Sequence, residues 1–413
     1  MTLRYREDVI SEKLGNNTVT AIEVHDFDKF TCLNANVRVG LTNFKELQYY
    51  GPLYLGSQRE KLNFVYDTGS SWLWFPKKTW NGCPTNNRYD TEKSTTYNET
   101  NKKIDLYYGR GHVSGNVTYD EVALLGAIGK SVNLRMLAIN YAEDLAGTQA
   151  DGILGLSPEP VSGAESLVKK LVSQDVIDAA EFTVFLGVTG QASYIDFGKY
   201  KGNTENVTWV SLTDTNYWRV YMKSMEYKNK PISILSSKAV LDTGSSVLGM
   251  PREDLKNVIF AVKEDRQLFY LEDINFYGVR WRNVDEFYDI IIDIGGHKTR
   301  ISSNEYMLKV SNYCIFFIFD LGTSMNFILL GDSYLKGNLI IHDVDNRRVG
   351  LFPQKMFYPS RDYEESNIFF YIVIILAIGL VISVFFTFWY NKYQKEEENE
   401  DQEEQELYAR IRD

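Results

Sequence analysis

Residues 63–76 read NFVYDTGSSWLWFP, and residues 239–251 read AVLDTGSSVLGMP. The pentapeptide Asp-Thr-Gly-Ser-Ser thus occurs at Asp67–Ser71 and again at Asp242–Ser246, 175 residues later, each time between two apolar runs. A single Asp-Thr-Gly is an ordinary turn, because Asp bonds its own backbone and Gly tolerates positive φ. Repetition in matched context means more. Each copy is followed by an apolar-apolar-Gly triplet: Ile153-Leu154-Gly155, 88 residues from Asp67 to its glycine, and Leu329-Leu330-Gly331, 89 residues from Asp242. The chain therefore reads as two halves of one plan.

Two carboxylates brought together by a pseudo-twofold axis cannot both ionise in a low-dielectric cleft. They share one proton and titrate as a unit. The charged member can take a proton from a water molecule while the protonated member polarises a carbonyl, which requires neither metal nor cofactor. On this reading Asp67 and Asp242 are the catalytic candidates. Thr68 and Thr243 are expected to tie the two loops together, Gly69 and Gly244 to leave room for the sharp backbone, and Ser70 and Ser245 to bond the outer carboxylate oxygens.

Composition sets the frame around this repeat. The 413 residues carry a net charge of −11, with 44% hydrophobic and 24% charged residues, which is globular rather than disordered. The length allows two or three compact units. The acid excess argues against a nucleic-acid partner, which would need a basic patch. His25, His112, His297 and His342 are scattered without ligand spacing and no CxxC pair occurs, so no metal site is expected. Cys32, Cys83 and Cys314 are too few for a disulfide scaffold, and their odd number leaves at least one thiol unpaired or bridged to a second chain. Between residues 44 and 358 the chain is mostly short β-prone runs separated by Gly, Asn and Asp, with brief helical periodicity at Ala164–Ala180 and Arg252–Val262. The expectation is a mainly β body.

Several further pieces fall in a familiar order: YGPLYLG at 50–56, DTGSSWLWFP from Asp67, YYGRG at 107–111, DGILGL at 151–156, the second DTGSS, LLGDSYL from Leu329, and HDVDNRRVGLFP ending at Pro353. With these motifs the sequence resembles the pepsin-like aspartic proteases from about Tyr49 to Pro353. The resemblance implies a bilobal fold with a pseudo-twofold axis, a cleft between the lobes that binds an extended peptide, and Asp67 and Asp242 as the catalytic pair. Tyr108, followed by Gly109, resembles the tyrosine at the tip of the flap hairpin, although Tyr107 could take that position if the hairpin slips by one. Trp74 resembles the tryptophan whose indole holds that tyrosine. Arg110 and His112 depart from the small hydroxyl residues usual there. The family's local disulfides cannot form, since Cys83 and Cys314 each lack a neighbouring partner in sequence. The resemblance also implies a prosegment, whose remnant residues 1–43 would supply, with Lys13, Lys29 and Arg38 as its basic groups. The expected lobes are 44–205 and 206–358, followed by a stalk at 359–367. A monomer acting on peptide or protein substrates is implied. The alternative is a catalytically silent member serving in membrane binding, adhesion or sorting.

Residues 368–390 (IFFYIVIILAIGLVISVFFTFWY) contain no Asp, Glu, Lys, Arg, Asn or Gln. As a helix these 23 residues would be about 34 Å long, enough to cross a hydrocarbon core of about 30 Å. A lipid bilayer is thus an expected partner and 368–390 an expected transmembrane helix. The tail 391–413 holds nine acidic and four basic residues, close to half of the net charge. Lys392 and Lys395 beside the span favour a cytosolic tail. The glycosylation acceptors Asn16, Asn98, Asn116 and Asn206 all precede the span. Together these suggest a single-pass type I protein with a lumenal or extracellular body, in a lysosomal, endosomal, vacuolar or cell-surface setting. The charged stretch 1–13 shows no signal-peptide pattern, so either a leader precedes this sequence or the span inserts as a tail anchor with a cytosolic body. Tyr408-x-x-Ile411 resembles a sorting signal read by adaptor proteins.

Overall fold

The computed structural model describes residues 36–353 except 81–82, 84, 86, 109–110, 127–128, 144–147, 189, 272–275, 282 and 311. The architecture is mainly β, and the two Asp-Thr-Gly copies sit on the same strand plan. In the first half, strand Glu60–Asp67 pairs in parallel with Gly152–Gly155, setting Asp67 beside Gly155. The latter strand pairs antiparallel with Leu73–Pro76, which lies parallel to Val132–Glu143. In the second half, Lys238–Leu241 pairs in parallel with Ile328–Leu330, setting Leu241 beside Leu330. That strand pairs antiparallel with Leu248–Met250, itself parallel to Ile318–Asp320. Each Asp-Thr-Gly loop therefore leaves one strand, reverses, and returns on the far side of the strand built by its own apolar-apolar-Gly triplet.

The glycines of those triplets are required by that threading. A Cβ at Gly155 or Gly331 would run into the backbone of Ser71 or Ser245. The flanking runs are buried on both faces: Phe64, Tyr66, Leu73 and Phe75 on one side, and Ala239, Leu241, Leu248 and Met250 on the other, are all 3% exposed or less. Near-continuous apolar strands of this kind belong to sheets covered on both faces.

The two halves share a sheet. Strand Leu339–Asp343 pairs with Glu181–Phe185, and Arg348–Leu351 extends the same sheet to Thr208–Ser211. Strand Val37–Phe44 pairs with Ser193–Phe197 and then turns to pair with Gln48–Leu55. The expected boundary after residue 43 thus falls inside a strand. Arg38 is committed there: its guanidinium makes two 2.7 Å bonds to the Asp196 carboxylate and lies 3.8 Å from the Tyr194 ring centroid. Its charge is thus paired at the sheet.

The second expected helix forms at Arg252–Lys263. The first is shorter than its periodicity, Leu167–Ser173. Ser166 caps it by accepting from the Lys169 amide, and the turn closes where Asp175 takes a φ of +50°, a conformation that ends a helix. Beyond it, Ile177 and Ala180 remain buried without being helical.

Candidate active site

Asp67 ends its strand and Asp242 follows directly on Leu241, so both carboxylates emerge at strand ends where the two halves meet. The threonines lock the loops reciprocally. The Thr68 amide donates to Thr243 Oγ1 at 3.0 Å, and the Thr243 amide donates to Thr68 Oγ1 at 3.0 Å. The Thr68 hydroxyl donates to the Leu241 carbonyl at 3.0 Å, and the Thr243 hydroxyl donates to the Tyr66 carbonyl. Each hydroxyl accepts once and donates once across the pseudo-axis, which leaves no polar group of the buried crossing unsatisfied.

Within each loop the glycine amide turns back to its aspartate: Gly69 to Asp67 Oδ1 at 2.8 Å, Gly244 to Asp242 Oδ1 at 2.9 Å. The two carboxyl groups interact directly. Burial pushes both above the usual carboxylate range. Asp67 is eased back by the Ser70 hydroxyl and the Gly69 amide, whereas Asp242 is raised further by the charge on Asp67. The pair thus favours a state with a single shared proton.

The two serines behave differently from each other. Ser245 Oγ donates to the Val247 carbonyl at 3.4 Å rather than to a carboxylate. Ser70 Oγ is buried and acts as a hydrogen-bonding partner of the Asp67 carboxylate, as expected, although the contact is not well aligned. Both serve the loops through their backbones: the Ser157 amide donates to the Ser70 carbonyl at 2.9 Å, and the Asp332 amide donates to the Ser245 carbonyl at 2.7 Å.

Above the pair, strands Asn98–Tyr107 and His112–Ala123 form a long hairpin in which Tyr107 faces His112. The Tyr108 amide donates to the Gly111 carbonyl at 2.9 Å, and Gly111 takes a φ of +83° at the start of the returning strand. Gly109 lies outside the described residues. Tyr108, not Tyr107, packs against Trp74, ring centroids 6.4 Å apart. Its phenol is held well above its usual range, first by burial and then by the charge on Asp67. The tyrosine therefore feels the charge of the Asp67 carboxylate. The buried Trp74 indole N–H is directed at that phenol and opposes the upward shift, the relation the resemblance implies, although the contact is not a well-aligned hydrogen bond.

Two residues near the pair escaped sequence reading. Tyr217 has its phenol pushed up to about 12 by burial, with the charges on Asp214, Asp242 and Asp67 adding. Asp332 is 2% exposed, and burial holds its carboxyl well above the usual range. A signal for Asp332 existed: it follows Gly331 where the first half has Leu156 after Gly155. Nothing in the local sequence marks Tyr217.

Of the glycosylation acceptors, Asn98 and Asn206 are exposed, whereas the Asn116 amide donates to Glu99 Oε1 at 2.7 Å inside a three-stranded stretch. Cys83 Sγ lies 3.1 Å from Thr85 Oγ1, and the buried Cys314 thiol donates to the Trp281 carbonyl at 3.4 Å; both are free. Among the described residues no cluster suited to a metal ion is found, and no helix is long and apolar enough to cross a membrane. Asn16, the 368–390 run, Tyr408 and Ile411 lie outside the described residues.

The family model described as "Eukaryotic aspartyl protease" matches residues 48–354. The chain is 28% identical over 332 residues to pepsin A of Gallus gallus, covering 76% of this chain and 86% of that one. It is 26% identical over 331 residues to chymosin of Camelus dromedarius (78% and 85% covered) and 27% identical over 348 residues to cathepsin D of Dictyostelium discoideum (78% and 88% covered). The matched segment contains both Asp-Thr-Gly loops, the reciprocal threonine lock and the Tyr108 hairpin, and the chain belongs to the eukaryotic aspartyl protease family.

Proposed function

We propose that the protein is an aspartic endopeptidase that hydrolyses peptide bonds, by a water molecule activated between Asp67 and Asp242, at acidic pH. The carrying observation is the reciprocal Thr68–Thr243 lock, which holds the two carboxyl groups against each other where burial and mutual repulsion favour one shared proton. The charged member takes a proton from water as the oxygen attacks the peptide carbonyl carbon. The protonated member gives its proton to the carbonyl oxygen, producing a tetrahedral diol. Collapse of the diol breaks the C–N bond, a proton passes to the leaving nitrogen, and the pair returns to its single-proton state. Placement of both groups before the reaction supplies most of the advantage, since no reorganisation is needed as charge develops.

An extended peptide between the catalytic pair and the Tyr108 hairpin would meet aromatic side chains, including Tyr108 and Tyr217. That surface supports cleavage between bulky apolar residues. The apolar run 368–390 and the acidic tail support a membrane-anchored type I arrangement with Tyr408-x-x-Ile411 as a sorting signal.

The test is hydrolysis of a quenched peptide with apolar central residues between pH 3 and 7, with Asp67→Asn beside the wild type. Loss of the acid-base pair should lower kcat by roughly 10²–10⁴-fold. Equal turnover by the variant would sink the mechanism.

A further inference from the structure

The turn that joins strands Val37–Phe44 and Gln48–Leu55 reaches from the first half of the chain into the second. The Leu47 amide donates to the Phe44 carbonyl at 3.0 Å, and the two residues inside this turn, Lys45 and Glu46, take φ of +55° and +62°. Turns of this kind favour Asn and Gly, because a Cβ in the left-handed region is strained. Such strain persists only where the surroundings hold it, and it points to a task for the residue kept there. The contacts of Glu46 show what holds it. Its carboxylate accepts from the Asn43 side-chain amide at 2.9 Å and from the Tyr49 hydroxyl at 3.3 Å, and it lies 3.7 Å from Lys336 Nζ in the second half.

Lys336 follows helix Asp332–Leu335, and its buried side chain is also ion-paired with the buried Glu305. Its backbone is fixed as well, since the next amide, of Gly337, donates to the Leu186 carbonyl at 2.8 Å. The same helix holds the second Asp-Thr-Gly loop: Ser333 Oγ donates to the Ser246 carbonyl at 3.2 Å, and the Asp332 amide donates to the Ser245 carbonyl at 2.7 Å. Ser246 in turn donates its hydroxyl to the carbonyl of Leu47, the neighbour of Glu46. These contacts close a ring that runs from Glu46 to Lys336, through the helix to Ser245 and Ser246, and across to Leu47. Two bridges in it join the halves, one ionic and one neutral. The neutral bridge depends on the ionic one, because the Leu47 carbonyl meets Ser246 only while Glu46 keeps the turn in its left-handed form. Desolvation offsets much of the attraction in a buried ion pair, so what Lys336 and its two glutamates supply is a fixed geometry.

We propose that Glu46 is a positioning residue for Asp242: through Lys336 and Leu47 it makes the turn a strut from the first half that holds the second Asp-Thr-Gly loop in place. The inference deepens the peptidase reading and rests on it. The Thr68–Thr243 lock pins this loop beside Asp242, and the strut pins it again at Ser246. A loop pinned at one point pivots, whereas one pinned at two does not, and small misplacements of a reacting group are costly in rate. Loss of a contact the size of one hydrogen bond gives an expected effect of roughly 3- to 10-fold.

The experiment uses the full chain as wild type, Glu46→Gln, Glu46→Gly, Ser246→Ala, the double variant Glu46→Gln with Ser246→Ala, and Lys45→Gly, each checked for its fold by circular dichroism. Hydrogen exchange of a peptide covering 239–250 should show protection lowered roughly 3- to 10-fold in both Glu46 variants and in Ser246→Ala. In hydrolysis the same variants should lose kcat by a similar factor with little change in KM, a split that simple loss of stability would not produce. The double variant should lose no more than Glu46→Gln alone, because the two bridges act in series. Lys45→Gly, which relaxes the same turn but keeps the carboxylate, should leave kcat unchanged. Should Glu46→Gly fail to fold, Glu46→Gln, which keeps the shape of the side chain, decides. Wild-type kcat and protection in Glu46→Gln, losses that multiply in the double variant, or an equal loss in Lys45→Gly overturns the strut. Equal turnover by Asp67→Asn and wild type would instead overturn the peptidase reading, while the exchange measurement, which needs no turnover, still decides whether the strut holds the loop.

Discussion

Gly69 and Asp242, from opposite halves of the chain, stand so close that a Cβ on the glycine would lie 2.5 Å from Oδ1 and 2.7 Å from Cγ of the aspartate. The mirrored relation holds for Gly244, whose added Cβ would meet the Asp67 carboxylate. These glycines serve close approach rather than unusual φ, since neither is among the positive-φ positions.

Gly69→Ala and Gly244→Ala should each displace the carboxylate of the other half. A misplacement of about 1 Å at the reacting centre costs on the order of 10²-fold in rate. Steady-state kinetics on the folded variants, with circular dichroism to confirm the fold, checks this. Wild-type kcat in Gly69→Ala would show that the carboxylate tolerates the shift.

Thr68→Val removes one acceptor and one donor from the lock, leaving the Thr243 amide and the Leu241 carbonyl buried without partners. Each orphaned group costs about 1–3 kcal/mol. Thr243→Val should act alike through the Thr68 amide and the Tyr66 carbonyl. Because the two share one network, the double variant should lose less than the sum of the singles. Urea unfolding of the three variants measures both quantities.

The pH profile of kcat/KM should fall on both sides of an acidic optimum. The alkaline limb marks loss of the shared proton, and it shifts upward because burial and the charge on Asp67 raise Asp242. The acid limb marks protonation of the second carboxyl, also raised by burial. Asp67→Asn should remove the bell along with most of the activity, as rate measurements from pH 2 to 8 would reveal.

His342 should limit stability in acid. It is 1% exposed, stacked on Phe182 at 4.6 Å, and neither ring nitrogen makes a well-formed hydrogen bond. Burial lowers its pKa to about 3, whereas an unfolded histidine titrates near 6.5. The unfolded chain therefore binds the extra proton, and stability is lost as pH falls through the window from about 6.5 to about 3. His342→Phe, which preserves the stack, should be stabilised by about 3 kcal/mol more at pH 4 than at pH 7. Urea midpoints at the two pH values provide the check, and an equal gain at both would refute it.

Glycan occupancy should separate the acceptors. In a lumenal body, exposed Asn98 and Asn206 should be modified, while Asn116, bonded to Glu99 in the middle of a sheet, should stay bare. Site-by-site mass spectrometry after enzymatic deglycosylation would read this, and a modified Asn116 would contradict it.

The sequence alone determined the paired Asp-Thr-Gly loops and the mainly β character, because these depend on local chemistry repeated at matched spacing. Asp-Thr-Gly carries its hydrogen bonds within a few residues, and the apolar runs around it announce buried strands. The Tyr108 assignment was legible for the same reason, as Gly111 must supply the turn. What depended on distant neighbours was decided only by the tertiary structure. Ser245 faces its own Val247 carbonyl because the reversed loop turns its hydroxyl inward, and Arg38 pairs with Asp196 because a strand 158 residues away lies beside it. Asp332 and Tyr217 reach the active site, and His342 is sealed between Phe182 and Trp218, through sheet pairings that no local pattern encodes. Periodicity overstated the first helix for a related reason: apolar positions at Ile177 and Ala180 are buried by the surrounding fold whether or not the backbone stays helical.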